Sequence, residues 1–259
     1  MPTCLNFAPM QKYTHDTVVP FKDSQLSKKE QVADMFNRIA FRYDFMNRFL
    51  SGGIDVRWRR KAIKELARIN PQMILDVATG TGDVAIMMAK SLRPKKIIGI
   101  DISDGMLGLG NKKIAGLSLN DLIELQRGDG EAINFPDETF DAITVAFGVR
   151  NFANLEKGLT EMLRVLKPGG KLVALEFSKP KQGFFRRVYS IYMKTAAGIG
   201  KWVAKNREAY EYLNDSVNAF PEGNVFLKIL SKAGYTDTYL KTLTLGICTI
   251  YCASKKEIS

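Results

Sequence analysis

Apolar residues recur at intervals of three and four along the first part of the chain. Over residues 28–40 this spacing predicts a helix. A second helix is predicted over residues 55–69, and Pro71 prevents its continuation. Between these helices lies an aromatic-rich stretch that is predicted to end in a turn at two glycines. Together these elements predict a helical extension over residues 28–70.

Beyond this extension, short apolar segments alternate with amphipathic ones. The apolar segments predict strands, and the segments between them predict helices. The predicted strands span residues 73–78, 97–101, 122–126, 142–147 and 171–177, and the predicted helices span residues 83–91, 105–115 and 154–166. A strand–helix–strand rhythm of this kind is typical of a parallel sheet that is covered by helices on both faces.

The rhythm is interrupted after the fifth predicted strand. Residues 179–220 are predicted to be mostly helical and to form an insertion, or lid. A helix over residues 224–233 follows, and two strands over residues 236–243 and 246–253 are close enough to form an antiparallel pair. The sequence therefore predicts an α/β fold with a mostly parallel sheet and an antiparallel C-terminal strand.

The length and composition of the chain suit one domain. Of its 259 residues, 46% are hydrophobic and 25% are charged, so the chain can bury a sizeable core. Residues 1–27 are predicted to be a flexible arm, and residues 28–259 a single domain. No stretch approaches the ~18 apolar residues of a membrane-spanning helix, and the N-terminus does not resemble a secretory signal. We expect a cytoplasmic protein.

The rare residue types argue against metal and disulfide chemistry. The chain has three cysteines and one histidine, His15, which lies in a polar stretch, so no metal site is expected. Cys248 and Cys252 lie in one predicted strand, separated by about 13 Å along it, which is too far for a disulfide. We expect both to be buried as small apolar residues.

A glycine-rich loop follows the first predicted strand. Gly80 and Gly82 let the backbone turn sharply and approach a ligand, and the helix that follows presents its free N–H groups. Asp101, at the end of the second strand, is placed to accept both hydroxyl protons of a ribose. Asp76 would pair with an ammonium group of the ligand, and Asp129, after the third strand, would accept a hydrogen bond from an adenine amino group.

Taken alone, this loop fits two classes of nucleotide-binding protein. Residues 80–85 also match the G-x-G-x-x-A pattern of NAD-dependent enzymes. Asp76 would repel a diphosphate, but it would attract the ammonium group of S-adenosylmethionine. The order of motifs over residues 73–177 resembles the common arrangement of class I methyltransferases. That resemblance implies a Rossmann-like sheet and S-adenosylmethionine as the cofactor.

Longer motifs carry a closer resemblance. They are Tyr-Asp-Phe-Met-Asn-Arg-Phe-Leu-Ser from residue 43, Phe-Gly-Val-Arg-Asn from residue 147, Arg-Val-Leu-Lys-Pro-Gly-Gly-Lys-Leu-Val-Ala-Leu-Glu-Phe-Ser from residue 164 and Ala-Tyr-Glu-Tyr-Leu-Asn-Asp-Ser from residue 209. Over residues 21–255 the chain resembles the ubiquinone/menaquinone biosynthesis C-methyltransferases. The resemblance implies methyl transfer to a ring carbon of a polyprenylated quinol, with demethylmenaquinol favoured over 2-methoxy-6-polyprenyl-benzoquinol.

The resemblance also implies individual residues. The family's cofactor contacts carry over onto Thr81, Asp101, Asp129 and Gly130. Two positions depart from the family pattern. Ala146 stands where the family commonly has a serine, so one hydroxyl contact with the cofactor is absent. Asp55 stands where the family usually has a histidine, which puts a catalytic role at that position in doubt.

Carbon methylation requires the quinol ring to be held at near-attack distance and a proton to leave. Arg150 and Asn151 follow the fourth strand, where substrates of open α/β sheets bind. Arg150 would stabilise the developing phenolate, and Asn151 would orient the other hydroxyl. Tyr43, with Asp44 and Asn47, would close over the ring. The structural alternatives are an ion pair for Arg150, a helix cap for Asn151 and a core position for Tyr43.

The formal net charge of +11 suggests an anionic partner. Residues 179–207 contain no acid and interleave aromatic and aliphatic residues with eight basic ones: Lys179, Lys181, Arg186, Arg187, Lys194, Lys201, Lys205 and Arg207. Because a polyprenyl tail stays in the bilayer, we expect this segment to contact anionic lipid at the inner face of the membrane. The alternative is an insertion that packs on the sheet. The sequence leaves a homodimer open.

Other functions fit less well. An RNA methyltransferase or a methyltransferase of another small molecule would use the same cofactor site. The chain has no RNA-binding appendage and no Asn/Asp-Pro-Pro-aromatic motif after the fourth strand, so no nucleic-acid partner is expected. A nicotinamide oxidoreductase would not need Asp129, and a non-catalytic binding module would not need the full set of cofactor residues.

Overall fold

The computed structural model describes residues 13–180 and 207–257, which build one α/β sheet with helices on both faces. The seven strands are β1 (Met73–Val77), β2 (Lys96–Asp101), β3 (Ile123–Arg127), β4 (Phe140–Ala146), β5 (Leu166–Phe177), β6 (Thr236–Leu243) and β7 (Cys248–Ser254). The helices are α1 (Lys28–Ser51), α2 (Ile54–Lys64), α3 (Asp83–Leu92), α4 (Asp104–Gly116), α5 (Leu155–Val165), α6 (Arg207–Ala219) and α7 (Asn224–Lys232).

The strand order is β3-β2-β1-β4-β5-β7-β6, and β7 runs antiparallel to both of its neighbours. The other adjacent strands pair in parallel. The predicted mostly parallel sheet with an antiparallel C-terminal strand is therefore confirmed. The order reverses between β1 and β4, and an open α/β sheet binds its ligand beyond the carboxyl ends of the strands at such a reversal.

Hydrophobic cores lie on both faces of the sheet. One contains residues of α5 and α7 packed on the strands, including Leu159 and Phe226. The other contains residues of α2, α3 and α4, including Trp58 and Met88. The central strands are buried on both faces, which explains why they appear in the sequence as continuous apolar runs.

The N-terminal extension differs from the prediction in its middle. The helix expected over residues 28–40 continues through the aromatic-rich stretch to Ser51. It stops at Gly52 and Gly53, whose φ angles of 58° and 76° lie in the left-handed region. No glycine or proline interrupts the stretch before that point, so nothing in the backbone prevents the helix from continuing.

The described part of the predicted arm, residues 13–27, makes contacts with the domain. His15 is fully buried, with its ring edge against Phe220. The hydroxyl of Tyr13 donates to Glu156 at 2.9 Å, and Nζ of Lys28 donates to the His15 carbonyl at 2.5 Å. The chain is thus seated on the domain from residue 13 onward, before the predicted boundary at residue 28.

Helix α6 provides the helical end of the predicted insertion. Residues 181–206 lie outside the described residues, and with them most of the basic and aromatic segment that was expected to contact lipid. Lys179, at its edge, is described: its backbone N–H donates to Glu222 at 2.7 Å and its ammonium to the Asn218 carbonyl at 3.0 Å. None of the helices in the described ranges has the length and apolarity that crossing a bilayer would require.

Cys248 and Cys252 lie in β7 and are fully buried as free thiols, as predicted. Burial raises the pKa of the Cys252 thiol to about 11, so it stays protonated at neutral pH. Within residues 13–180 and 207–257, no three histidine, cysteine or acidic side chains form a group that could hold a metal ion.

Candidate functional site

A cavity opens at the carboxyl ends of β1, β2 and β4. It encloses about 660 Å³ of non-protein space, part of which is open to solvent. Helix α1 forms one wall. Its residues Val32, Phe36 and Tyr43 are four and seven positions apart, so they share the helix face that lines the cavity. The lining residues are Lys29, Val32, Phe36, Tyr43, Val77, Ala78, Gly80, Asp101, Ile102, Met106, Gly128, Asp129, Gly130, Glu131, Ala146, Phe147, Gly148, Asn151 and Phe152.

The loop after β1 is held by the end of β2. The Asp101 carboxylate accepts from the backbone N–H of Gly80 at 2.8 Å and from that of Ser103 at 2.9 Å. Gly80 has a φ of 58°, and a Cβ there would meet no atom within 4 Å, so its position opens onto the cavity. Burial raises the pKa of Asp101 while hydrogen bonds from the backbone N–H groups of Ser103, Gly80 and Ile102 lower it, and the raising effect is larger.

Oδ2 of Asp101 accepts from the N–H of Gly80 and Oδ1 from that of Ser103, and the backbone N–H of Ile102 also bonds this carboxylate. A carboxylate has about four acceptor positions, so Asp101 keeps acceptor capacity for a ligand hydroxyl. It lines the cavity although its residue is only 9% exposed. The structure thus places Asp101 where the sequence predicted an acceptor for ribose hydroxyls.

Asp129 also lines the cavity, and each of its two oxygens already has a partner. Its Oδ1 accepts from the backbone N–H of Glu131 at 2.8 Å, and its Oδ2 lies 2.6 Å from the Lys29 ammonium. Lys29 also lies 2.9 Å from Glu131, so it joins α1 to the loop after β3. Gly130 fits only without a side chain, because a Cβ would lie 2.8 Å from Val77.

Asp76 does not face the cavity, contrary to the prediction. It is 1% exposed, and its oxygens accept from the Thr144 hydroxyl at 2.5 Å and from the Thr79 hydroxyl at 2.7 Å. Burial raises its pKa to about 6. These contacts hold the loop after β1 against β4, and Asp76 is not among the residues that line the cavity.

The Thr81 side chain points away from the cavity as well. Its hydroxyl donates to Asp44 at 2.7 Å and accepts from the Lys113 ammonium at 2.9 Å. Lys113 also pairs with Asp44 and lies 2.7 Å from Asp83. This hydroxyl is thus engaged on both sides, and the cofactor contact that the family resemblance implies for Thr81 stays a prediction.

Thr81 contacts a set of paired charges that joins four helices. We call it the ion cluster: Asp44 on α1, Asp55 and Arg59 on α2, Asp83 on α3 and Lys113 on α4. Within it, Arg59 lies 3.0 Å from Asp83 and 3.5 Å from Asp55.

Asp55 stands where the family usually has a histidine. It is 4% exposed and accepts a hydrogen bond from the Ser51 hydroxyl at 2.7 Å. It belongs to the ion cluster and does not line the cavity. Gly82, with a φ of 75°, packs against Leu125 and Ile114 and also lies behind the cavity wall. Both residues therefore serve the loop and the helices behind it.

At the end of β4 the backbone of Phe147 is strained. Its φ of 59° lies in the left-handed region, which is rare for a bulky residue and costs of order 1–3 kcal/mol. Its carbonyl accepts from Nη1 of Arg150 at 2.6 Å, and its ring lies 4.5 Å from that of Phe177. Both contacts hold the loop in this conformation.

Arg150 does not face the cavity, contrary to the prediction of a direct role. It is 5% exposed, and its Nη1 lies 2.7 Å from Oε1 of Glu176, which is 1% exposed. Burial lowers the pKa of Arg150, but the Glu176 carboxylate outweighs burial and raises it. The structural alternative, a buried ion pair, is the arrangement found.

Asn151 and Tyr43 do line the cavity. The Asn151 amide donates to the Phe147 carbonyl at 3.3 Å and accepts from the Tyr212 hydroxyl at 3.1 Å. Tyr43 is half-buried, with its ring edge against Phe36 at 5.8 Å between centroids. Ala146 lines the same wall, where the family's serine is absent. The Asn47 side chain lies outside the described residues.

The sequence did not single out Lys29, Glu176 or Tyr212. Glu176 lies in the motif that follows residue 164 and Tyr212 in the motif that follows residue 209, so the motifs contained them without distinguishing their roles. A charged residue in an otherwise apolar strand, as Glu176 is in β5, was a usable signal, because buried charges are almost always paired.

Comparisons with known proteins extend these observations. A demethylmenaquinone methyltransferase of Bacteroides fragilis is 45% identical over 244 residues, which are 94% of this chain and 99% of that protein. The ubiquinone/menaquinone biosynthesis C-methyltransferase UbiE of Geobacter sulfurreducens is 46% identical over 229 residues, which are 88% of this chain and 90% of that protein.

Among solved structures, phosphoethanolamine N-methyltransferase 2 of Haemonchus contortus in complex with S-adenosyl-L-methionine superposes with a TM-score of 0.64. The match covers 92% of this chain and 62% of that chain at 15% identity, which shows a shared fold. The model of the ubiE/COQ5 methyltransferase family matches residues 24–255. This chain belongs to the ubiE/COQ5 methyltransferase family.

Proposed function

We propose that this protein transfers a methyl group from S-adenosylmethionine to a ring carbon of demethylmenaquinol. The observation that carries the proposal is that Gly80 and Asp101, which suit the cofactor, and Tyr43 and Asn151, which suit the acceptor, line one cavity. A methyltransferase needs its cofactor and its acceptor in contact, and this cavity provides both sides. The relative from Bacteroides fragilis, 45% identical, is named for the same reaction.

The residues present fit the cofactor. Asp101 would hold the ribose hydroxyls with its remaining acceptor positions, and Asp129 would accept from the adenine amino group once Lys29 yields that position. The open space beside Gly80 admits close approach of a ligand to the backbone. When bound, the cofactor supplies a methyl group on a sulfonium, which is already activated for transfer.

The other side of the cavity fits an aromatic acceptor. Tyr43 and Phe147 provide apolar rings, and Asn151 provides a hydrogen-bond donor near them. A quinol carries electron density on the carbon beside its hydroxyl, and still more when that hydroxyl is ionised, whereas an oxidised quinone does not react. The task of these side chains is to hold the ring and to stabilise the phenolate.

Arg150 acts on this side through the backbone. Its guanidinium holds the Phe147 carbonyl and is itself held by Glu176. Arg150 is therefore a positioning residue in this proposal, and it replaces the direct contact with the phenolate that the sequence suggested.

A benzoquinol is the second candidate acceptor. The relative from Geobacter sulfurreducens, 46% identical, carries both quinones in its name. The same side chains would hold a single ring, so the choice depends on measurement.

The test is transfer of labelled methyl to short-tailed demethylmenaquinol, beside the oxidised quinone, 2-methoxy-6-prenyl-benzoquinol and bulk RNA. Label in the naphthoquinol alone supports the proposal, and label in both quinols supports a dual-pathway enzyme. Label in RNA with none in either quinol overturns it.

We further propose contact with an anionic membrane surface, because the acceptor carries a polyprenyl tail. The outer face of α1 supports it: Phe41 is 88% exposed, and the side chains of Arg38 and Arg48 on the same face are 59% and 60% exposed. The basic segment of residues 179–207 supports it by composition.

The variant Arg186→Glu with Arg187→Glu reverses two of these charges. We expect it to co-sediment less than the wild type with vesicles of phosphatidylglycerol and phosphatidylcholine. Unchanged sedimentation would remove the contribution of this segment, and a Phe41→Ser variant then tests α1. Sedimentation equilibrium of the same samples shows whether a homodimer forms.

A further inference from the structure

The Asn151 amide is held from two sides at the cavity wall. On one side lies the carbonyl of Phe147, 3.3 Å from Nδ2, and on the other the hydroxyl of Tyr212, 3.1 Å from Oδ1. Tyr212 belongs to α6, 61 residues away in sequence. It is 3% exposed, so water does not compete for its hydroxyl.

The chemistry of these two partners fixes which way the amide points. A backbone carbonyl only accepts hydrogen bonds, so the amide must turn its NH₂ group towards Phe147. Its oxygen then faces Tyr212, whose hydroxyl has to donate. The amide NH₂ group has two hydrogens, and the Phe147 carbonyl takes one of them. The second hydrogen is left for the cavity that Asn151 lines.

Resting on the proposed function, we infer that Tyr212 is a positioning residue that fixes Asn151 as a hydrogen-bond donor to the phenolate oxygen of the quinol. A donor aimed at developing charge accelerates a reaction because it needs no reorientation when the charge appears. Without the Tyr212 hydroxyl, the amide can turn over and present its oxygen, which would repel the phenolate.

The charged and titratable groups around the amide are compatible with this role. Arg150 from the same loop is neutralised by Glu176 of β5, and Tyr43 of α1 lies across the cavity. Burial raises the pKa of the Tyr212 hydroxyl above its usual range, although Arg150 opposes the rise. The hydroxyl therefore stays protonated and donates throughout the pH range of an assay.

The test replaces only the hydroxyl, with Tyr212→Phe. The matched control is Tyr235→Phe, because Tyr235 is also 3% exposed and its hydroxyl donates to a backbone carbonyl outside the cavity, that of Leu159 at 3.0 Å. We expect kcat for demethylmenaquinol to fall about tenfold in Tyr212→Phe alone, as for a misaligned oxyanion donor. The KM for quinol and the Kd for S-adenosylhomocysteine stay within about twofold of the wild type.

The pH profile and a double variant separate this role from a structural one. In Tyr212→Phe the midpoint of the kcat–pH profile moves to higher pH, because the bound phenolate loses a donor. In an Asn151→Ala background, Tyr212→Phe has no further effect on kcat.

A tenfold loss that persists in the Asn151→Ala background overturns the inference, as does a Tyr212→Phe variant that behaves like Tyr235→Phe. If Tyr212→Phe unfolds, Asn151→Asp provides the second test, because it keeps an acceptor for Tyr212 while it removes the donor; an unchanged kcat there overturns the inference. A wild-type protein that methylates no quinol overturns the proposed function and this inference together.

Discussion

The ends of β1 and β4 are built alike, because each presents one predicted residue to the cavity and uses another to hold its loop. After β1, Gly80 opens onto the cavity while its neighbour Thr81 turns to the ion cluster. After β4, Asn151 lines the cavity while its neighbour Arg150 turns to Glu176. At each end, one residue faces the ligand and the adjacent one holds the loop in place.

The two strand ends differ in the contacts that hold their loops in place. After β1 the loop is held by hydrogen bonds that backbone N–H groups donate to Asp101, and by the partly exposed ion cluster. After β4 the support is one deeply buried ion pair and a strained phenylalanine. We therefore expect substitutions at the β1 end to weaken cofactor binding. Substitutions at the β4 end should lower the stability of the protein and its turnover.

The largest expected effect is at the β1 end. Asp101→Ala removes the ribose acceptor and leaves the N–H groups of Gly80 and Ser103 without their partner. We expect S-adenosylhomocysteine binding to weaken by at least about 1,000-fold, or ~4 kcal/mol, in titration calorimetry. Asp104→Ala, at an exposed ion pair with Arg127, is the control and should bind normally. Binding within tenfold of the wild type would contradict the role of Asp101.

The next effect is at the β4 end. Arg150→Ala leaves the Glu176 charge buried without its partner, which costs about 3 kcal/mol of unfolding free energy. We expect turnover to fall while the Kd for S-adenosylhomocysteine stays near the wild-type value. Urea unfolding and calorimetry measure the two quantities separately.

The double variant Arg150→Met with Glu176→Leu sharpens this test. Removal of both charges should restore most of the unfolding free energy, because no charge is left buried alone. Turnover should stay low, since the Phe147 carbonyl still lacks its donor. An equal loss of cofactor affinity in Arg150→Ala and Asp101→Ala would show that both strand ends contribute to cofactor binding, contrary to the roles assigned to them here.

A smaller effect concerns pH. Burial raises the pKa of Asp76 to about 6 in the folded protein, against about 3.8 when unfolded. The folded state then holds its proton to higher pH, so ionisation of Asp76 removes stability as the pH rises from about 4 to 6. We compare the unfolding free energy of Asp76→Asn with that of the wild type. The difference should shift in favour of the variant by about 2 kcal/mol as the pH rises from 4 to 7.

Asp141→Asn is the matched control for this prediction. Burial raises the pKa of Asp141, but hydrogen bonds from Lys167, Met73 and Gln72 outweigh it and lower the pKa below 3.8. Its contribution to stability is lost only below that range, so the difference between Asp141→Asn and the wild type should stay flat from pH 4.5 to 7. A flat difference for Asp76→Asn as well would contradict the raised pKa.

The smallest effect is at Thr81. Thr81→Val removes a hydroxyl that bridges Asp44 and Lys113, which costs about 1 kcal/mol of unfolding free energy. The Kd for S-adenosylhomocysteine should change less than about twofold. A tenfold weaker Kd at unchanged stability would restore Thr81 as a cofactor contact.

The sequence predicted the parts of the fold that depend on local pattern. Six of the seven strands begin and end within two residues of their predicted bounds, because buried strands appear as apolar runs, whereas β5 begins five residues before its predicted start. The position of the cavity followed from the strand order, and Gly80, Asp101 and Asn151 line it. The continuation of α1 to Ser51 was missed because aromatic residues are compatible with either a helix or a loop.

What the sequence could not give is the direction of single side chains. Arg150 and Asn151 are adjacent, and only the position of Glu176 on β5 decides that the arginine turns inward. The direction of the Thr81 side chain is likewise determined by its contacts with Asp44 of α1 and Lys113 of α4. These partners are distant in sequence, so no local pattern reports them.

The strained Phe147 backbone has a consequence for the order of folding. Its conformation is unfavourable alone and is offset only when its N–H bonds the Leu175 carbonyl and Arg150 reaches Glu176. Both partners lie on β5, so the acceptor wall cannot form before β4 and β5 have paired. We therefore expect this wall to form late in folding and to exchange its amide hydrogens sooner than the loop after β1 does.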